Sequence, residues 1–194
     1  MSNERADAFT LIELLVVIGI IAILLGFIFP VFQGVQDRAK KVQAKNDLTQ
    51  IVTAVNAFYT EYGRYPTDQS TDATATYGAG GTSSKFVFDE LRAVTSNINT
   101  RKIVFISPPE DASASPKGKV GSDGQFNDPW SSAYALRIDA DYDNQVANCY
   151  TADTGAGPAN IRQGVIAWCV GKDTKLGNNG DNKFKNSDDV ISWQ

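Results

Sequence analysis

The C-terminal stretch between Val170 and Trp193 is rich in glycine, asparagine and aspartate, which are the residue types of a cation-binding loop. Its carboxylates are those of Asp173, Asp181, Asp188 and Asp189. Calcium takes roughly six to eight oxygen ligands, and a flexible loop that returns on itself supplies them from carboxylates, amides and carbonyls. The spacing is not that of an EF-hand. The stretch is therefore a candidate for calcium binding, and the alternative is a solvated acidic loop whose Trp193 packs into the domain.

A second acidic segment contains Asp139, Asp141, Asp143 and Asn144. It begins like an EF-hand, but its twelfth position is Tyr150, where a bidentate glutamate is needed. We therefore predict a turn here, with weak cation binding as the alternative.

The two cysteines, Cys149 and Cys169, fit neither a zinc site nor a CxxC redox motif. In an oxidising compartment they are candidates for a disulfide, which at this separation would stabilise the fold by roughly 3 kcal/mol. The alternative is a pair of buried free thiols.

Histidine is absent from the 194 residues, and this removes whole classes of chemistry. The absence excludes a Ser-His-Asp or Cys-His nucleophile pair, zinc bound by histidine, and a histidine proton shuttle near neutral pH. The 18 lysines and arginines against 22 aspartates and glutamates give a net charge of −4, whereas nucleic-acid binding usually uses a basic stripe. We therefore expect no nucleic-acid partner.

From Phe9 to Phe32 the sequence is apolar over 24 residues, and Glu13 is the single charge among them. As a helix this run covers about 36 Å, whereas the hydrocarbon core of a bilayer is about 30 Å thick. No small-residue cleavage site closes the run, which argues against a secretory signal that is removed whole. The run therefore predicts a membrane anchor. The basic residues after the run are Arg38, Lys40, Lys41 and Lys45. By the positive-inside rule they would place the rest of the protein in the cytoplasm, where a disulfide is not expected.

The junction from Ala8 to Ile18, AFTLIELLVVI, resembles the class III leader junction of type IV pilins and type II secretion pseudopilins. The resemblance implies that a prepilin peptidase cuts between Ala8 and Phe9 and methylates the new amine, so that residues 1–8 are a leader. Alanine replaces the glycine that the family usually has before the cut. The resemblance also implies a periplasmic globular part, which resolves the conflict over topology.

Glu13 and Pro30 are the candidate assembly residues within the apolar run. A carboxylate in apolar surroundings is costly unless it has a partner. In a filament of staggered subunits Glu13 would pair with the Phe9 amine of a neighbour and fix the axial register; the alternative is a carboxylate that snorkels without a partner. Pro30 removes a backbone donor and predicts a kink or a locally melted turn, either at the membrane exit or, as the resemblance implies, on polymerisation.

Apolar residues after the run recur at steps of three and four and predict one helix from about Phe9 to Tyr62, stopped by Gly63 and Pro66. The apolar face comprises Leu48, Ile51, Val52, Val55, Phe58, Tyr59 and Tyr62. The first half of this helix is the predicted anchor, and the second half packs on the globular domain.

The remaining sequence predicts a small antiparallel sheet that needs the helix across one face. The β-like runs are 133–138, the stretch near 149–150, and 164–170. We also predict a short helix over 86–94 with Phe86, Phe88 and Leu91 buried, a brief strand or an extended segment over 103–106, and loops over 68–84 and 112–125. The fold class is therefore α+β, with a pilin-like arrangement of a long N-terminal helix on an antiparallel sheet.

Two further segments carry the family resemblance. Asp128-Pro129-Trp130 resembles the turn that opens the sheet in major pseudopilins, although Ser131 and Ala133 replace the usual glycine and proline. The C-terminal stretch resembles their calcium loop, which implies that Asp173 and Asp189 contribute ligands. The full set of candidate metal residues is Val170, Asp173, Asp181, Asp188 and Asp189.

The predicted organisation is a leader (1–8), a membrane and filament-core helix (9–32), the amphipathic half of the helix with its exit turn (33–66), and a β domain with the calcium loop (67–194). By resemblance, this is a non-enzymatic, single-pass inner-membrane protein that assembles into a periplasmic filament. Its expected partners are the prepilin peptidase, further copies of itself, other pseudopilins and, indirectly, an assembly platform with its ATPase. The alternatives are a type IV pilin and, from another class, a membrane-tethered binding domain or enzyme.

Overall fold

The computed structural model describes residues 10–72, 75–113, 115–151 and 155–194, with backbone alone for 26–33. These residues form two helices, α1 (Leu11–Tyr62) and α2 (Lys85–Leu91), and six strands. The strands are β1 (Thr76–Tyr77), β2 (Ala135–Ile138), β3 (Val146–Ala147), β4 (Asn160–Ile161), β5 (Val165–Cys169) and β6 (Val190–Ile191). The α+β class with an N-terminal helix and an antiparallel sheet is confirmed.

Helix α1 belongs to two compact units of the protein, which divide after Ala39. It continues through Pro30, so of the kink or locally melted turn predicted there, the melted turn is absent. It ends where predicted, because Gly63 adopts a left-handed φ of 67° and its N–H donates to the Tyr59 carbonyl at 2.8 Å. Among the described residues, no helix combines the length and the hydropathy that a membrane crossing requires.

The main sheet has the strand order β1-β2-β5-β6, and every neighbouring pair is antiparallel. Its centre is the β2–β5 pair, in which Leu136 faces Ala167 and Ile138 faces Val165. Strands β3 and β4 form a separate antiparallel pair. The runs predicted at 133–138 and 164–170 are therefore the two central strands, while the run placed near 149–150 is β3, a few residues earlier.

One face of the sheet packs on α1 and forms the helix-side core. From α1 it takes Ala44, Leu48, Ile51, Ala54, Val55 and Phe58, and from the sheet Leu136, Ile138, Val165, Ala167 and Cys169. These helix positions repeat at steps of three and four, so they lie on one stripe of α1. The predicted apolar face is confirmed at its centre, whereas Tyr59 at its border is exposed.

The opposite face of the sheet is also buried and forms the loop-side core. Its buried members are Ala135, Val146, Tyr150, Ala156, Ile161, Ile166, Trp168, Val170 and Ile191. Loops and the β3–β4 pair supply most of this cover, which explains why all five residues of β5 are buried. The sheet therefore has cover on both faces, not only the helix that the sequence predicts.

The predicted disulfide is absent, because Cys149 and Cys169 are free thiols. Alternate residues of a strand point to opposite faces of its sheet. Cys169 in β5 lies in the helix-side core, whereas Cys149 packs against the loop-side core. The sheet itself separates the two sulfurs, and burial raises the pKa of each thiol to about 12.

Two local predictions differ from the structure, and a third is narrowed to one of its alternatives. The segment 103–106 forms no strand, which leaves the extended segment, and the loop predicted over 68–84 contains strand β1, whose Tyr77 is buried. In α2, Val87 is buried and Phe86 is only half-buried. Such short elements depend on pairing and packing with distant segments more than on local pattern.

The turn before β2 is built around Asp128, whose Oδ1 accepts N–H groups from Trp130 at 2.8 Å and Ser132 at 2.9 Å. Ser131 has a left-handed φ of 79°. A side chain with a Cβ is strained in this conformation, which glycine adopts freely.

Candidate functional site

The acidic C-terminal segment brings three carboxylates together on the loop-covered side of the sheet. Asp173, Asp188 and Asp189 each offer an oxygen, and these oxygens lie within 4.8 Å of one another. Asp173 lies shortly after β5, and the other two immediately precede β6. Because β5 and β6 are antiparallel neighbours, the segment between them returns on itself and its two ends meet.

Asp189 is the buried member of the group, with 6 % of its surface exposed. Its Oδ2 accepts a hydrogen bond from the Tyr150 hydroxyl at 2.7 Å and another from the Gly177 N–H at 2.7 Å. Its Oδ1 is buried and has no hydrogen-bond partner among the residues that the structure describes. Burial is the main cause that raises the pKa of this carboxyl to about 6, and the charges of Asp188 and Asp173 contribute. An unpaired buried carboxylate oxygen is costly unless a cation satisfies it.

Asp173 and Asp188 hold the two ends of the segment in place. Asp188 Oδ2 accepts the N–H groups of Lys172 and Asp173, the second at 3.2 Å. Asp173 accepts from the N–H of Lys175 at 2.9 Å and from that of Asn179 at 3.3 Å. The carboxylates therefore order the loop, and an oxygen of each remains within reach of a common point.

Gly171 allows this close approach. It has a φ of 66°, and a Cβ at this position would lie 2.6 Å from Asp188 Cγ and 2.8 Å from the Asp188 carbonyl oxygen. Both the conformation and the contact require glycine. The short sequence between β5 and Asp173 is thus adapted to bring the Asp188 backbone against it.

The predicted metal residues divide into two sets. Asp173, Asp188 and Asp189 come together, whereas Asp181 lies outside the group. The Asp181 Oδ1 instead accepts the N–H groups of Asn178 and Lys183, each at 2.9 Å, so this carboxylate closes a local turn. Val170 is buried directly after β5 in the loop-side core.

The sequence did not identify Tyr150 or Gly177 as supports of Asp189. Tyr150 precedes Asp189 by 39 residues, and its ring lies 5.2 Å from that of Phe184 in the same loop. No local signal joins such residues, because the contact depends on how the β3–β4 pair covers the sheet. Trp193 is also anchored, since its Nε1 donates to the Ala156 carbonyl at 2.6 Å.

The second acidic segment forms the predicted turn, with one addition. Asp139 is buried and accepts from the N–H of Asn144 at 2.8 Å, which closes the turn. Asp72 joins Asp139, Asp141 and Asp143 from a distant loop, and its Oδ1 accepts the Ala140 N–H at 2.7 Å. Burial raises the pKa of both Asp72 and Asp139.

At the N-terminal end of α1, Glu13 has a partner within the same molecule. Its Oε2 accepts the Thr10 N–H at 2.9 Å and the Thr10 hydroxyl at 2.6 Å, while the Glu13 N–H donates to Thr10 Oγ1 at 3.3 Å. This is a capping box, for which the spacing Thr-x-x-Glu is the sequence signal. A Glu13 that snorkels without a partner is therefore not what the structure contains. Ala8 and Phe9 lie outside the described residues.

Apolar side chains surround this end of the helix and are exposed. From Leu11 to Leu25 every large apolar residue has at least 45 % of its surface accessible. They are Leu11, Ile12, Leu14, Leu15, Val16, Val17, Ile18, Ile20, Ile21, Ile23, Leu24 and Leu25. A continuous apolar surface of this extent marks a site of contact with a membrane or with other proteins.

Comparison with known families places a motif on this same region. Residues 5–29 match the family described as "Prokaryotic N-terminal methylation motif". The protein is also 43% identical over 63 residues to the type IV major pilin protein PilA of Myxococcus xanthus. It is 34% identical over 74 residues to the type II secretion system core protein G of Aeromonas hydrophila, and 33% over 69 residues to that of Pseudomonas aeruginosa. No solved structure matches the sequence.

These similarities extend over only part of each protein. The match to PilA covers 32% of this sequence and 29% of the relative, whereas the match to the Aeromonas protein covers 38% and 52%. The match to the Pseudomonas protein covers 36% and 49%. The sequence thus spans about a third to a half of the length of these relatives, and it is similar to both pilins and pseudopilins.

Proposed function

We propose that this protein is a structural subunit of a periplasmic filament of a type II secretion system, assembled from a processed, membrane-anchored precursor. The observation that carries the proposal is the methylation motif over residues 5–29, at the head of a helix whose later residues pack on an antiparallel sheet. Similarity to several core G proteins supports secretion as the process.

The precursor is held in the inner membrane by residues 9–32, with its globular part in the periplasm. The exposed apolar surface from Leu11 to Leu25 supports this proposal, because such a surface needs cover by lipid or by neighbouring subunits. In the filament, the same surfaces of successive copies and of other pseudopilins cover one another. The prepilin peptidase processes the subunit, and the assembly platform extracts it.

Glu13 sets the register of this assembly. In the isolated subunit its carboxylate is engaged by Thr10, so it is already held at the start of the helix. On assembly it pairs with the Phe9 amine of a neighbour, because two charges buried in apolar surroundings are stable only together. Pro30 loosens α1 on polymerisation by the backbone donor that it lacks.

Processing provides the first test. When the full-length protein is expressed together with a prepilin peptidase, intact mass and N-terminal sequencing should show a product that begins at methylated Phe9. Without the peptidase, residues 1–8 should remain. A membrane-extracted protein that keeps residues 1–8 in both cases would overturn the assignment.

Assembly provides the second test. Glu13→Ala should insert into membranes as well as the original protein, because it makes the span more apolar, but its filament yield should fall strongly. Thr10→Val is the matched control for Glu13→Ala. It removes the hydroxyl contact of the capping box and keeps the Glu13 carboxylate. Filament yield of Glu13→Ala equal to that of the original protein would contradict the pairing.

Calcium is the cofactor that we propose for the loop between β5 and β6. The donor set fits, since Asp173, Asp188 and Asp189 supply hard oxygens and the buried Asp189 Oδ1 lacks a partner. The bound ion would satisfy this oxygen and fix the loop against the sheet. The role that we propose for the calcium ion is structural, and we propose no enzymatic activity for the protein.

A type IV pilin is the second candidate, supported by the similarity to PilA. A deletion strain distinguishes the two: loss of protein secretion with unchanged surface filaments supports the secretion role, and loss of surface filaments with normal secretion supports the pilin.

A further inference from the structure

The loop between β5 and β6 contains a dipeptide with a reactivity of its own. Asn179-Gly180 is the one asparagine–glycine pair in the sequence. In such a pair the glycine nitrogen can come close to the asparagine carboxamide, because glycine has no Cβ to obstruct it. We propose that Asn179 is a site of spontaneous deamidation, which converts it to aspartate and isoaspartate.

The reaction needs no other protein group, and its atoms balance with water alone. The Gly180 nitrogen loses its proton and attacks Asn179 Cγ, so that a ring N–Cγ bond forms. The bond from Cγ to Nδ2 breaks, and the leaving NH2 group takes up one proton through water and departs as ammonia. Water then adds to one of the two carbonyls of the five-membered imide ring. Addition at the backbone carbonyl breaks its bond to the ring nitrogen and gives isoaspartate, whereas addition at Cγ breaks the N–Cγ bond and gives aspartate.

Both reacting groups are accessible in the structure. Asn179 and Gly180 are exposed, with left-handed φ angles of 56° and 89°. A Cβ at Gly180 would meet nothing nearer than Lys175 Cδ at 3.8 Å, so the space beside the Gly180 Cα is open. Within the described residues, no hydrogen bond engages the Asn179 carboxamide or the Gly180 N–H.

One contact holds the Asn179 backbone in place within the loop. The Asn179 N–H donates to Asp173 Oδ2 at 3.3 Å. Asn178, by contrast, precedes a residue with a Cβ, and its N–H donates to Asp181 Oδ1 at 2.9 Å. The neighbouring asparagine is therefore a control within the same loop, and Asp173 is the residue whose removal should free Asn179.

Peptide mapping tests the proposal on the full-length protein in detergent micelles. The protein is incubated in a chelating buffer at mildly alkaline pH, and deamidation is followed over time by mass spectrometry with fragmentation that distinguishes isoaspartate. We expect Asn179 to react at least about tenfold faster than Asn178 or Asn182, the ratio that a barrier difference of about 1.4 kcal/mol produces. Asp173→Ala should accelerate the reaction, and Asn179→Gln should abolish the fast phase. Equal rates at the three asparagines would overturn the proposal.

The consequence for calcium rests on the proposed function. Isoaspartate adds a methylene to the backbone between Asp173 and Asp189, so the aged protein should lose part of its calcium-dependent rise in melting temperature. Asn179→Gln, aged in the same way, should keep it; an unchanged rise in fully deamidated protein would contradict this consequence. If fresh protein shows no calcium-dependent rise, the calcium loop fails while the mapped deamidation still stands.

Discussion

The two faces of the sheet are covered by different kinds of structure. The helix-side core takes its cover from a regular stripe of α1, in which Leu48, Ile51, Val55 and Phe58 are completely buried. The loop-side core takes its cover from irregular segments, which bring a buried carboxylate, Asp189, and its partner Tyr150. A helix satisfies the hydrogen bonds of its own backbone, whereas the N–H groups of loops need acceptors that side chains supply.

This difference separates two sources of stability. The helix-side core depends on apolar burial, which pH and cations do not affect directly. The loop-side core depends on carboxylates that order the backbone while they repel one another and resist burial. We therefore expect the first face to respond mainly to loss of volume and the second to respond to calcium and to protonation of Asp189.

The largest effect should come from the helix-side core. Phe58→Ala removes a fully buried ring that lies 4.6 Å from Tyr62 and 5.2 Å from Phe105, measured between ring centroids. The free energy of unfolding should fall by about 3–5 kcal/mol, by the same amount with and without calcium. Chemical denaturation in micelles measures it. Val42→Ala, at an exposed position of α1, is the control and should change stability by no more than about 0.5 kcal/mol.

The next largest effect is the stabilisation of the loop-side core by calcium. A hundredfold excess of calcium over its Kd should stabilise the protein by about 2.7 kcal/mol, and thus raise Tm by several degrees at about 2–4 °C per kcal/mol. Asp189→Ala and Asp173→Ala should each remove most of this rise. Magnesium should substitute poorly, because it requires near-octahedral geometry and retains its waters.

Asp181→Ala is the matched control for the calcium experiment, since its carboxylate lies in the same loop but outside the group. It should keep the calcium-dependent rise, as should Asp141→Ala in the other acidic segment. If Asp181→Ala abolishes the rise, the ligand set differs from the one proposed. If calorimetry finds no rise in the original protein, the loop is held by its hydrogen bonds alone.

A smaller effect should appear in the pH dependence. Burial raises the pKa of Asp128 to about 6, although the N–H groups that its Oδ1 accepts act in the opposite direction. Its Oδ2 is buried and has no hydrogen-bond partner among the described residues. The folded state then binds a proton more tightly than the unfolded state, so stability falls as pH rises from about 4 to about 6. Asp189 acts in the same direction in calcium-free protein.

Asp128→Asn should therefore flatten, but not abolish, the loss of stability from about pH 4 to about pH 6 in a chelating buffer. Asp123→Asn, which changes an exposed carboxylate in the preceding loop, is the control. Denaturation midpoints across this pH range measure the slope. A slope that Asp128→Asn leaves unchanged would assign the titration to another group.

The smallest effect concerns the two cysteines, which lie on opposite faces of the sheet. Because the sheet separates Cys149 from Cys169, a reductant should leave Tm unchanged. A thermal melt with and without a reductant measures this, and mass spectrometry of alkylated protein counts the free thiols. A drop in Tm on reduction would mean that the two faces are covalently joined.

Local sequence was sufficient to predict the elements whose structure depends on residues close by in the sequence. The periodic apolar residues of α1, the stop at Gly63 and the central strands follow from patterns of a few residues, and the structure contains them. The N-terminal motif is likewise a contiguous stretch, which the comparison identifies over residues 5–29. The Thr10–Glu13 capping box has an equally local signal.

Tertiary structure decided which distant residues meet and which face each one occupies. Asp72 joins the second acidic turn and Tyr150 supports Asp189 through contacts across 68 and 39 residues of sequence. Asp181 belongs to the acidic stretch by composition but not to the carboxylate group by position. The cysteines suggested a bond that strand alternation prevents. Strand register and the loops that cover the sheet determine these contacts. Spacing along the sequence does not specify the register, because a shift of one residue moves a side chain to the opposite face of the sheet.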